Sequence, residues 1–421
     1  MNWDVIVIGG GASGLMAAGR AAEGGARVLL LEKMGQVGIK LGLTGKGRCN
    51  LTNGGDLQSF IANYRRNGKF LHNAFSRFSN DRLIAFFEDR GLPLMEERGR
   101  RIFPASNRAQ DVVRVLREFA ASPRSRIAIH SPARELLIQG GRMAGVRAGA
   151  REIRASRIIL ASGGASYSKT GSSGDGFRLA AQAGHSIRPI RPALVPLETR
   201  EPTLDLKGLT LKNVQVALRS GGRRVGEEFG ELLFTHFGVS GPVVLTLSGT
   251  AAEALERGPV ELSIDLKPAL HPEQVEARLI REFTGSPRRS LGGIMTGLLP
   301  RRMAMFFLQK AGIPAELPGG RVPAALRRRL AGLLKDWTWE IKGARPLEEA
   351  IVTAGGVAVE EIHPQTMASR LIAGLYFCGE VIDVDGKTGG YNLQAAFSTG
   401  WVAGDSAARP SCLIAKFGVP S

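Results

Sequence analysis

Three glycines and one acidic residue near the N-terminus have the types and the spacing of a dinucleotide-binding site. Gly9, Gly11 and Gly14 form the pattern G-x-G-x-x-G, and Glu32 follows Gly14 by 18 residues. In such a site the first glycine permits a tight turn, the second lets the backbone approach a pyrophosphate, and the third lets helix and strand pack closely. An acid at the position of Glu32 accepts hydrogen bonds from ribose hydroxyls and repels the 2′-phosphate of NADP.

The segments around these residues predict a strand, a turn, a helix and a second strand. In residues 4–8 an aspartate precedes four apolar, β-branched residues, and residues 15–23 are rich in alanine. Residues 27–32 begin with an arginine, continue with four apolar residues and end in the acid. This order places the glycine turn at the N-terminus of a helix, where free N–H groups and the helix dipole attract phosphate. A glycine-rich turn without a ligand is the alternative, but it does not explain why all the surrounding elements agree.

The segment after Glu32 favours FAD over NAD. Residues 33–53 have the composition of an extended glycine- and polar-rich loop, whereas a plain NAD dehydrogenase would pass quickly into its next helix. Such a loop suits a longer cofactor and its phosphates. Its candidate contacts are Lys40, Thr44, Arg48, Asn50, Thr52 and Asn53. Cys49 has no second cysteine nearby, which argues against dithiol exchange and favours a packed thiol, with a lone reactive thiolate as the alternative.

Two later apolar strands also end in glycine. Residues 157–164 end in Ser162-Gly163-Gly164, and residues 374–380 end in Gly379-Glu380. A parallel strand that ends in glycine places its backbone beside a ligand at the carboxyl edge of the sheet. A simple strand-to-helix connection is the alternative. The candidate ligand contacts at these two ends are Ala161, Ser162, Gly163, Gly379 and Glu380.

The last predicted helix begins near residue 388 and runs to about residue 408. Gly389 and Gly390 at its start would expose N–H groups, and its dipole would stabilise negative charge near flavin N1 and O2. Asp383 is expected to bond the ribityl chain or a phosphate-linked water. The remaining candidates at this helix start are Tyr391, Asn392 and Leu393.

Four segments carry a resemblance to a known family: residues 44–53, 231–242, 352–357, and 379–383 with 389–394. Over essentially the whole chain the sequence resembles the aminoacetone oxidase-like (BaiN/YhiN-like) FAD-dependent oxidoreductases of bacteria. The resemblance implies a β-barrel-like domain and a helical insertion between the halves of the FAD domain. The residues that it implies for FAD binding are Gly11, Ser13, Gly14, Glu32, Lys33, Lys40, Gly45, Arg48, Asn50 and the C-terminal glycines.

The fold class predicted from these patterns is α/β. We expect an FAD-binding Rossmann-like domain of the glutathione reductase type, an inserted antiparallel β-barrel domain and a small helical subdomain. Short alternating runs between Gly and Pro predict the barrel, and helical periodicity predicts the subdomain. The expected ranges are 1–188 and 347–421 for the FAD-binding domain, 189–267 and 336–346 for the barrel, and 268–335 for the helices.

Composition limits the partners and the compartment. The net charge of +18 fits a nucleic acid, a membrane surface or an anionic substrate, but a solvated basic face is favoured over all three. Three widely spaced cysteines argue against disulfides and fit the cytoplasm. No apolar run is long enough to span a membrane. The absence of HxxxH and CxxC patterns argues against a protein metal site.

The predicted function is hydride transfer between a small organic substrate and flavin N5. An amine oxidase and a reductase of enone-like or steroid-like compounds are both open, and NAD(P)H is a possible electron donor although no second G-x-G-x-x-G occurs. His236 either binds or protonates substrate, or organises its own turn. The alternatives are an RNA-associated flavoprotein, suggested by the charge, and a flavin-binding protein without turnover.

Overall fold

The computed structural model describes residues 3–409, so Cys412 lies outside the described residues. The chain forms two compact units. The first contains the residues up to Arg191 and those from Leu347 onward, and the second contains Pro192–Pro346.

The elements are numbered in chain order. The strands are β1 (Val5–Ile8), β2 (Val28–Leu31), β3 (Thr52–Asn53), β4 (Leu94–Glu97), β5 (Arg101–Pro104), β6 (Ser125–Ala128), β7 (Ala133–Gln139), β8 (Arg142–Ala148), β9 (Arg151–Arg154), β10 (Arg157–Leu160), β11 (Ile187–Ala193), β12 (Leu197–Thr199), β13 (Thr210–Ser220), β14 (Arg223–Phe234), β15 (Gly238–Ser240), β16 (Val260–Asp265), β17 (Trp337–Ala344), β18 (Val352–Val357) and β19 (Leu375–Phe377). The helices are α1 (Ala12–Glu23), α2 (Ile39–Gly47), α3 (Leu57–Ala62), α4 (His72–Arg77), α5 (Asn80–Glu88), α6 (Ala109–Ala120), α7 (Asp175–Gln182), α8 (Pro242–Leu255), α9 (Pro272–Gly285), α10 (Leu291–Met295), α11 (Arg301–Lys310), α12 (Ala324–Lys335) and α13 (Tyr391–Ala408).

The centre of the first unit is a five-stranded parallel sheet in the order β19-β10-β1-β2-β6. Apart from the half-buried Arg157 at the start of β10, its three central strands are apolar and buried, as expected when helices cover both faces of a parallel sheet. Small residues allow α1 and α13 to pack closely. A Cβ at Gly400 would lie 2.5 Å from the carbonyl oxygen of Ser13, and one at Gly404 would lie 2.4 Å from that of Ala17.

Two smaller antiparallel sheets complete the strands of the region between β2 and β10. One has the order β3-β5-β4 and the other the order β7-β8-β9. The amphipathic helix α6 buries Val112, Val115 and Leu116 in the same core as the parallel sheet.

The second unit contains a closed barrel in the order β12-β15-β14-β13-β16-β17. Alternate residues of its strands, among them Val216, Leu218 and Leu262, are fully buried. Aromatic stacking joins the helices to the barrel: Phe307 lies 4.5 Å from Trp337 and Phe306 lies 5.8 Å from Trp339 between ring centroids. The helices therefore share the core of the barrel.

The predicted fold class is confirmed: a Rossmann-like α/β domain with an antiparallel barrel. Three local predictions were wrong. Residues 33–53 are not all loop, because α2 forms within them. Helical periodicity over residues 296–311 predicts one helix there, but α11 begins only at Arg301, since Pro300 lies at its N-cap. The short apolar runs at residues 209–211 and 214–218 predict two strands, but they form one strand, β13, with a register shift beside Asn213, whose φ is +56°.

Candidate cofactor-binding site

The sheet order brings three of the predicted segments together. β10 lies between β1 and β19, and all three run parallel, so their carboxyl ends share one edge. Ala161 N donates to Ile8 O at 2.9 Å and Cys378 N donates to Leu160 O at 3.1 Å. The glycine turn after β1, the residues after β10 and Gly379 after β19 therefore form one continuous edge. This is where ligands bind in open parallel sheets.

The three glycines of the N-terminal pattern have different steric requirements. Gly9 has φ +106°, and a Cβ there would lie 2.5 Å from Ala161 O. A Cβ at Gly14 would lie 1.9 Å from Gly9 O. At Gly11, by contrast, no heavy atom lies within 4 Å of the position of an added Cβ. Two glycines are thus required by the protein itself, and the third faces open space.

The N-terminus of α1 is suited to an anion. Its N-cap is Gly11, and no side chain caps the helix. The hydroxyl of Ser13 points away from the helix end and donates to Cys378 O at 3.4 Å. The uncapped N–H groups and the open space at Gly11 fit the pyrophosphate of a dinucleotide.

Glu32 has a role in the glycine turn that the sequence did not reveal. Its Oε2 accepts from Gly10 N and its Oε1 accepts from Met34 N, both at 2.7 Å. The carboxylate is nearly buried and fixes the turn against the end of β2. Each oxygen has a second lone pair, so the predicted bonds to ribose hydroxyls are chemically compatible with this role.

A polar cluster joins four segments at the carboxyl edge. Lys40 Nζ donates to Glu380 Oε2 and to Ser166 Oγ, both at 2.8 Å. Glu380 Oε1 accepts from Thr353 N at 2.7 Å and from Ser166 Oγ at 3.1 Å. Thr353 Oγ1 in turn accepts from Ala165 N at 2.8 Å and from Ser166 N at 3.1 Å.

The electrostatics of this cluster favour an ionised Glu380. Burial by itself would raise the pKa of its carboxyl, but the charge and hydrogen bond of Lys40 and the N–H of Thr353 hold the pKa below the usual value. Sequence reasoning selected Lys40 and Glu380 but missed Ser166 and Thr353. The signals for these two were the Gly163-Gly164 turn before Ser166 and the position of Thr353 in the family-like segment 352–357.

Two predicted cationic contacts are already paired with carboxylates of the chain. Lys33 donates to Asp175 Oδ2 at 2.6 Å and also to Ser173 Oγ. Arg48 pairs with Glu97 and donates to Asn107 Oδ1 at 2.7 Å. A cofactor phosphate would have to share these side chains with their present partners.

The asparagines after α2 bind the start of α13. With its amide oriented so that both polar atoms are satisfied, Asn50 accepts from Gly390 N at 3.0 Å and donates to Thr52 O and Ile102 O. Asn53 donates to Gly389 O at 3.2 Å. The expectation that Gly390 exposes its N–H is therefore wrong in this orientation, because Asn50 accepts it. Gly390 must be glycine, since φ is +100° and a Cβ would lie 2.3 Å from Thr52 O.

The remaining candidates near α13 hold the preceding loop. Asn67 donates to Asp383 Oδ2 at 3.0 Å, and burial together with the nearby Asp385 raises the pKa of Asp383. Asn392 bonds both backbone polar groups of Gly386 at 2.8 Å. Tyr391 O accepts from the Tyr64 hydroxyl at 2.6 Å, and Leu393 is half-buried.

The sequence matches a known protein family over nearly its whole length. A family model described as the HI0933-like protein Rossmann domain matches residues 3–406. The chain belongs to this HI0933-like family. It is an FAD-dependent oxidoreductase, and the predicted family resemblance, enzyme class and cofactor are confirmed.

Relatives of this HI0933-like protein carry two different functional names. It is 32% identical over 407 residues to a 3-dehydro-bile acid delta(4,6)-reductase of Clostridium scindens, which covers 96% of this chain and 98% of the relative. It is 31% identical over 411 residues to a ribosomal RNA dihydrouridine synthase of Escherichia coli, covering 95% and 96%. A similar fold occurs in a 3-ketosteroid-delta4-(5alpha)-dehydrogenase of Rhodococcus jostii RHA1, with a TM-score of 0.54, 17% identity and 97% of both chains covered.

Helix α2 is kinked at Thr44 and Gly45, two further residues predicted to contact the cofactor. Thr44 has an extended ψ of 148° and Gly45 has φ +57°, so the helix breaks there. Cys49 follows the break, and burial raises the pKa of its thiol to about 12. The thiol stays protonated at neutral pH, as expected for a packed residue rather than a reactive thiolate.

The residues after β10 are tightly packed. Ala161 is buried, Gly163 has φ +72°, and the buried hydroxyl of Ser162 has no hydrogen-bond partner among residues 3–409. A Cβ at Gly176 would lie 1.8 Å from Ser162 Oγ, so this hydroxyl faces the start of α7.

His236 belongs to the second unit. Its side chain is exposed in the turn between β14 and β15, with its ring 4.8 Å from that of Phe237. Thr235 rather than His236 organises this turn, because Thr235 Oγ1 accepts from Gly238 N at 3.1 Å. The role of organising this turn, one of the two proposed for His236, therefore belongs to Thr235.

Neither a membrane span nor a metal cluster is found within residues 3–409. None of the helices there combines the length and the apolar character needed to cross a bilayer. Nor do three or more His, Cys, Asp or Glu side chains gather in that part of the chain to hold a metal.

Proposed function

We propose that this HI0933-like protein reduces a carbon–carbon double bond conjugated to a carbonyl group. The observation that carries the proposal is the pair of relatives at 32% and 31% identity over nearly the whole chain. A delta(4,6)-reductase of a 3-oxo compound and a dihydrouridine synthase both saturate such a bond, the first in a fused carbocycle and the second in a uracil ring. The reducing chemistry is shared, and the molecule that carries the ring differs.

The residues of the carboxyl edge would hold the cofactor. We assign the pyrophosphate to the Gly9–Gly14 turn and the N-terminus of α1, and the ribose hydroxyls to Glu32. When bound and reduced by a donor such as NAD(P)H, FAD would supply the hydride that the reduction needs. The protein supplies rigid positioning, since the turn, Glu32 and the Lys40–Glu380 pair are fixed by internal hydrogen bonds.

The reduction also needs a proton for the second carbon of the double bond. We keep His236 as the proposed donor, because its imidazole is exposed and is not used to build its own turn. Replacement by Asn should slow reduction of the double bond while leaving the flavin spectrum unchanged.

The test is anaerobic. Photoreduced holoprotein is mixed separately with a 3-oxo-4-ene steroid and with uridine-containing RNA, oxidised holoprotein is mixed with a primary amine, and flavin absorbance is followed. Air is admitted to a separate photoreduced sample. Reoxidation by either conjugated compound, with the saturated product identified by mass, supports the proposal. Reoxidation by oxygen alone, together with bleaching of the oxidised flavin by the amine, would support the amine oxidase alternative instead. A parallel titration with NADH and NADPH tests the proposed electron donor.

A second candidate places the reacting uracil within RNA. The name of the Escherichia coli relative and the net charge of +18 favour it, because RNA is a polyanion whose binding depends on basic side chains. If the uracil of RNA is the substrate, unmodified ribosomal RNA should reoxidise the photoreduced flavin, whereas RNA whose uridines are already reduced should not. Reoxidation by the steroid alone would favour the steroid-like substrate.

A further inference from the structure

The positive charge of the chain is concentrated in the helical segment 268–335. These 68 residues contain twelve lysines and arginines against four carboxylates, so they carry +8 of the net +18. The segment belongs entirely to the second unit. A local excess of this size repels itself and destabilises the compact state unless an anion balances it.

Most of this excess is unpaired in the part of the chain that the structure describes. Arg278 and Arg327 form ion pairs with Glu282 and Glu276. Within residues 3–409, six exposed arginines of the segment have guanidinium groups without a hydrogen bond or an ion pair. They are Arg281, Arg288, Arg289, Arg301, Arg321 and Arg328.

Three of the six lie on two loops that are bonded to each other. Gly319 N donates to Arg289 O at 2.9 Å and Gly320 N donates to Pro287 O at 3.0 Å. Arg321 directly follows this pair of bonds, and Arg288 and Arg289 lie on the opposite loop. A Cβ at Gly319 would lie 2.6 Å from Ile294 Cδ1, so the loops also pack tightly on α10. We call residues 286–290 and 317–321 the basic loop pair.

We infer that the basic loop pair binds the phosphate backbone of RNA. Arginine is suited to this because its guanidinium bonds phosphate through two parallel N–H groups. A fixed pair of loops presents three such groups without the entropic cost of ordering a flexible tail. The inference rests on the second candidate of the proposed function, in which the reacting base is part of an RNA.

The scarcity of exposed apolar side chains favours RNA over a membrane. A peripheral membrane surface combines basic residues with inserted apolar side chains. In residues 268–335 only Ile280 and Met305 are large, apolar and exposed, and neither lies in the basic loop pair.

The experiment compares two triple variants of the full-length holoprotein. The first carries Arg288→Ala, Arg289→Ala and Arg321→Ala. The matched control carries Arg108→Ala, Arg126→Ala and Arg151→Ala, three exposed arginines of the first unit that also lack a partner among the described residues. Both lose the same charge, so a general effect of net charge cancels. Flavin absorbance and thermal unfolding confirm that each variant folds.

Binding is measured with a ribosomal RNA hairpin at several salt concentrations. Each lost phosphate contact removes about 0.7 to 0.9 from the slope of log affinity against log salt. The basic-loop variant should lose roughly 10- to 100-fold in affinity at about 0.1 M salt, with a slope shallower by about 2. The control variant should stay within about twofold of the wild type.

Two outcomes would overturn the inference: equal loss in both variants, or capture by phosphatidylserine vesicles instead of RNA. Failure of the proposed function is visible separately. If the wild type reduces no conjugated double bond but the RNA affinities follow the expected order, the surface assignment stands and the reaction assignment falls.

Discussion

Replacing Glu380 by Gln tests whether the Lys40–Glu380 pair fixes the carboxyl edge. Gln keeps the oxygen that accepts from Thr353 N and Ser166 Oγ, at 2.7 and 3.1 Å. Its amide NH₂ group, however, would face Lys40 Nζ, which now lies 2.8 Å from Glu380 Oε2. The substitution therefore removes one charge-assisted bond and puts a donor opposite a donor.

The magnitude follows from the burial of the pair. Breaking a fully buried ion pair costs about 3–5 kcal/mol, and an exposed pair contributes about 0–1 kcal/mol. The side chains of Lys40 and Glu380 are 23% and 21% exposed, between these limits. We expect Glu380→Gln to lower the free energy of unfolding by about 1–3 kcal/mol. Glu118→Gln, which removes an exposed partner of Arg114, is the control and should cost about 0.5 kcal/mol or less.

The stabilisation by the Lys40–Glu380 pair should depend on pH. The pKa of Glu380 is lower in the folded state than its ordinary value of 4.5. The stabilisation by the pair is therefore complete above that value and is lost as the pH falls through the lower folded-state pKa. The difference between wild type and Glu380→Gln should be largest at neutral pH and should shrink in acid.

The assay is urea unfolding of FAD-free protein, followed by circular dichroism, with a Lys40→Met, Glu380→Gln double-mutant cycle. If Glu380→Gln unfolds like the wild type, or if the difference does not change with pH, the Lys40–Glu380 pair does not stabilise the carboxyl edge. A coupling energy near zero between the two substitutions would show that the two side chains act independently.

Three other predictions follow from the same contacts. Gly14→Ala should prevent normal folding because its Cβ would meet Gly9 O at 1.9 Å, whereas Gly11→Ala should leave the FAD-free fold intact and lower FAD retention; circular dichroism and flavin absorbance measure the two effects. Burial lowers the pKa of His185 below its ordinary 6.5. Just below that pH the imidazole is therefore protonated in the unfolded chain but still neutral in the folded chain. Stability should fall as the pH decreases below about 6.5, and His185→Gln should weaken this dependence in urea midpoints at about pH 7.5 and about pH 5.5. Cys49 should resist iodoacetamide in the native protein, since burial raises the pKa of its thiol to about 12, and peptide mapping should show rapid labelling only in urea.

The elements that sequence predicted well are those with strong local signals. β1, the glycine turn, α1 and β2 follow from the apolar runs and glycine spacing. The edge formed by β1, β10 and β19 also follows, because parallel strands that end in glycine share a carboxyl edge. The β3-β5-β4 and β7-β8-β9 sheets were not predicted, since strands such as Arg151–Arg154 are charged and mostly exposed and lack an apolar pattern.

The side-chain partners at the edge were harder to predict than the backbone. Lys40 and Glu380 are 340 residues apart, and nothing in their local sequence says that they meet. Glu32 was selected for ribose, but the local pattern does not show that its oxygens already accept from Gly10 and Met34. Sequence patterns identify which residue types approach a cofactor, whereas the choice of internal partner depends on the tertiary fold.

The division of the chain allows cofactor binding and RNA binding to be tested independently. The glycine turn, Glu32 and the Lys40–Glu380 pair all belong to the first unit, whereas the basic loop pair belongs to the second. Each group is fixed by hydrogen bonds within its own unit. Additivity is therefore expected between a change at Glu380 and a change in the basic loop pair, because the sites share no partner. In a combined variant the free energy of unfolding should change as it does in Glu380→Gln, and the free energy of RNA binding should change as it does in the loop variant. A departure of more than about 0.5 kcal/mol in either quantity would show coupling that these internal contacts do not explain.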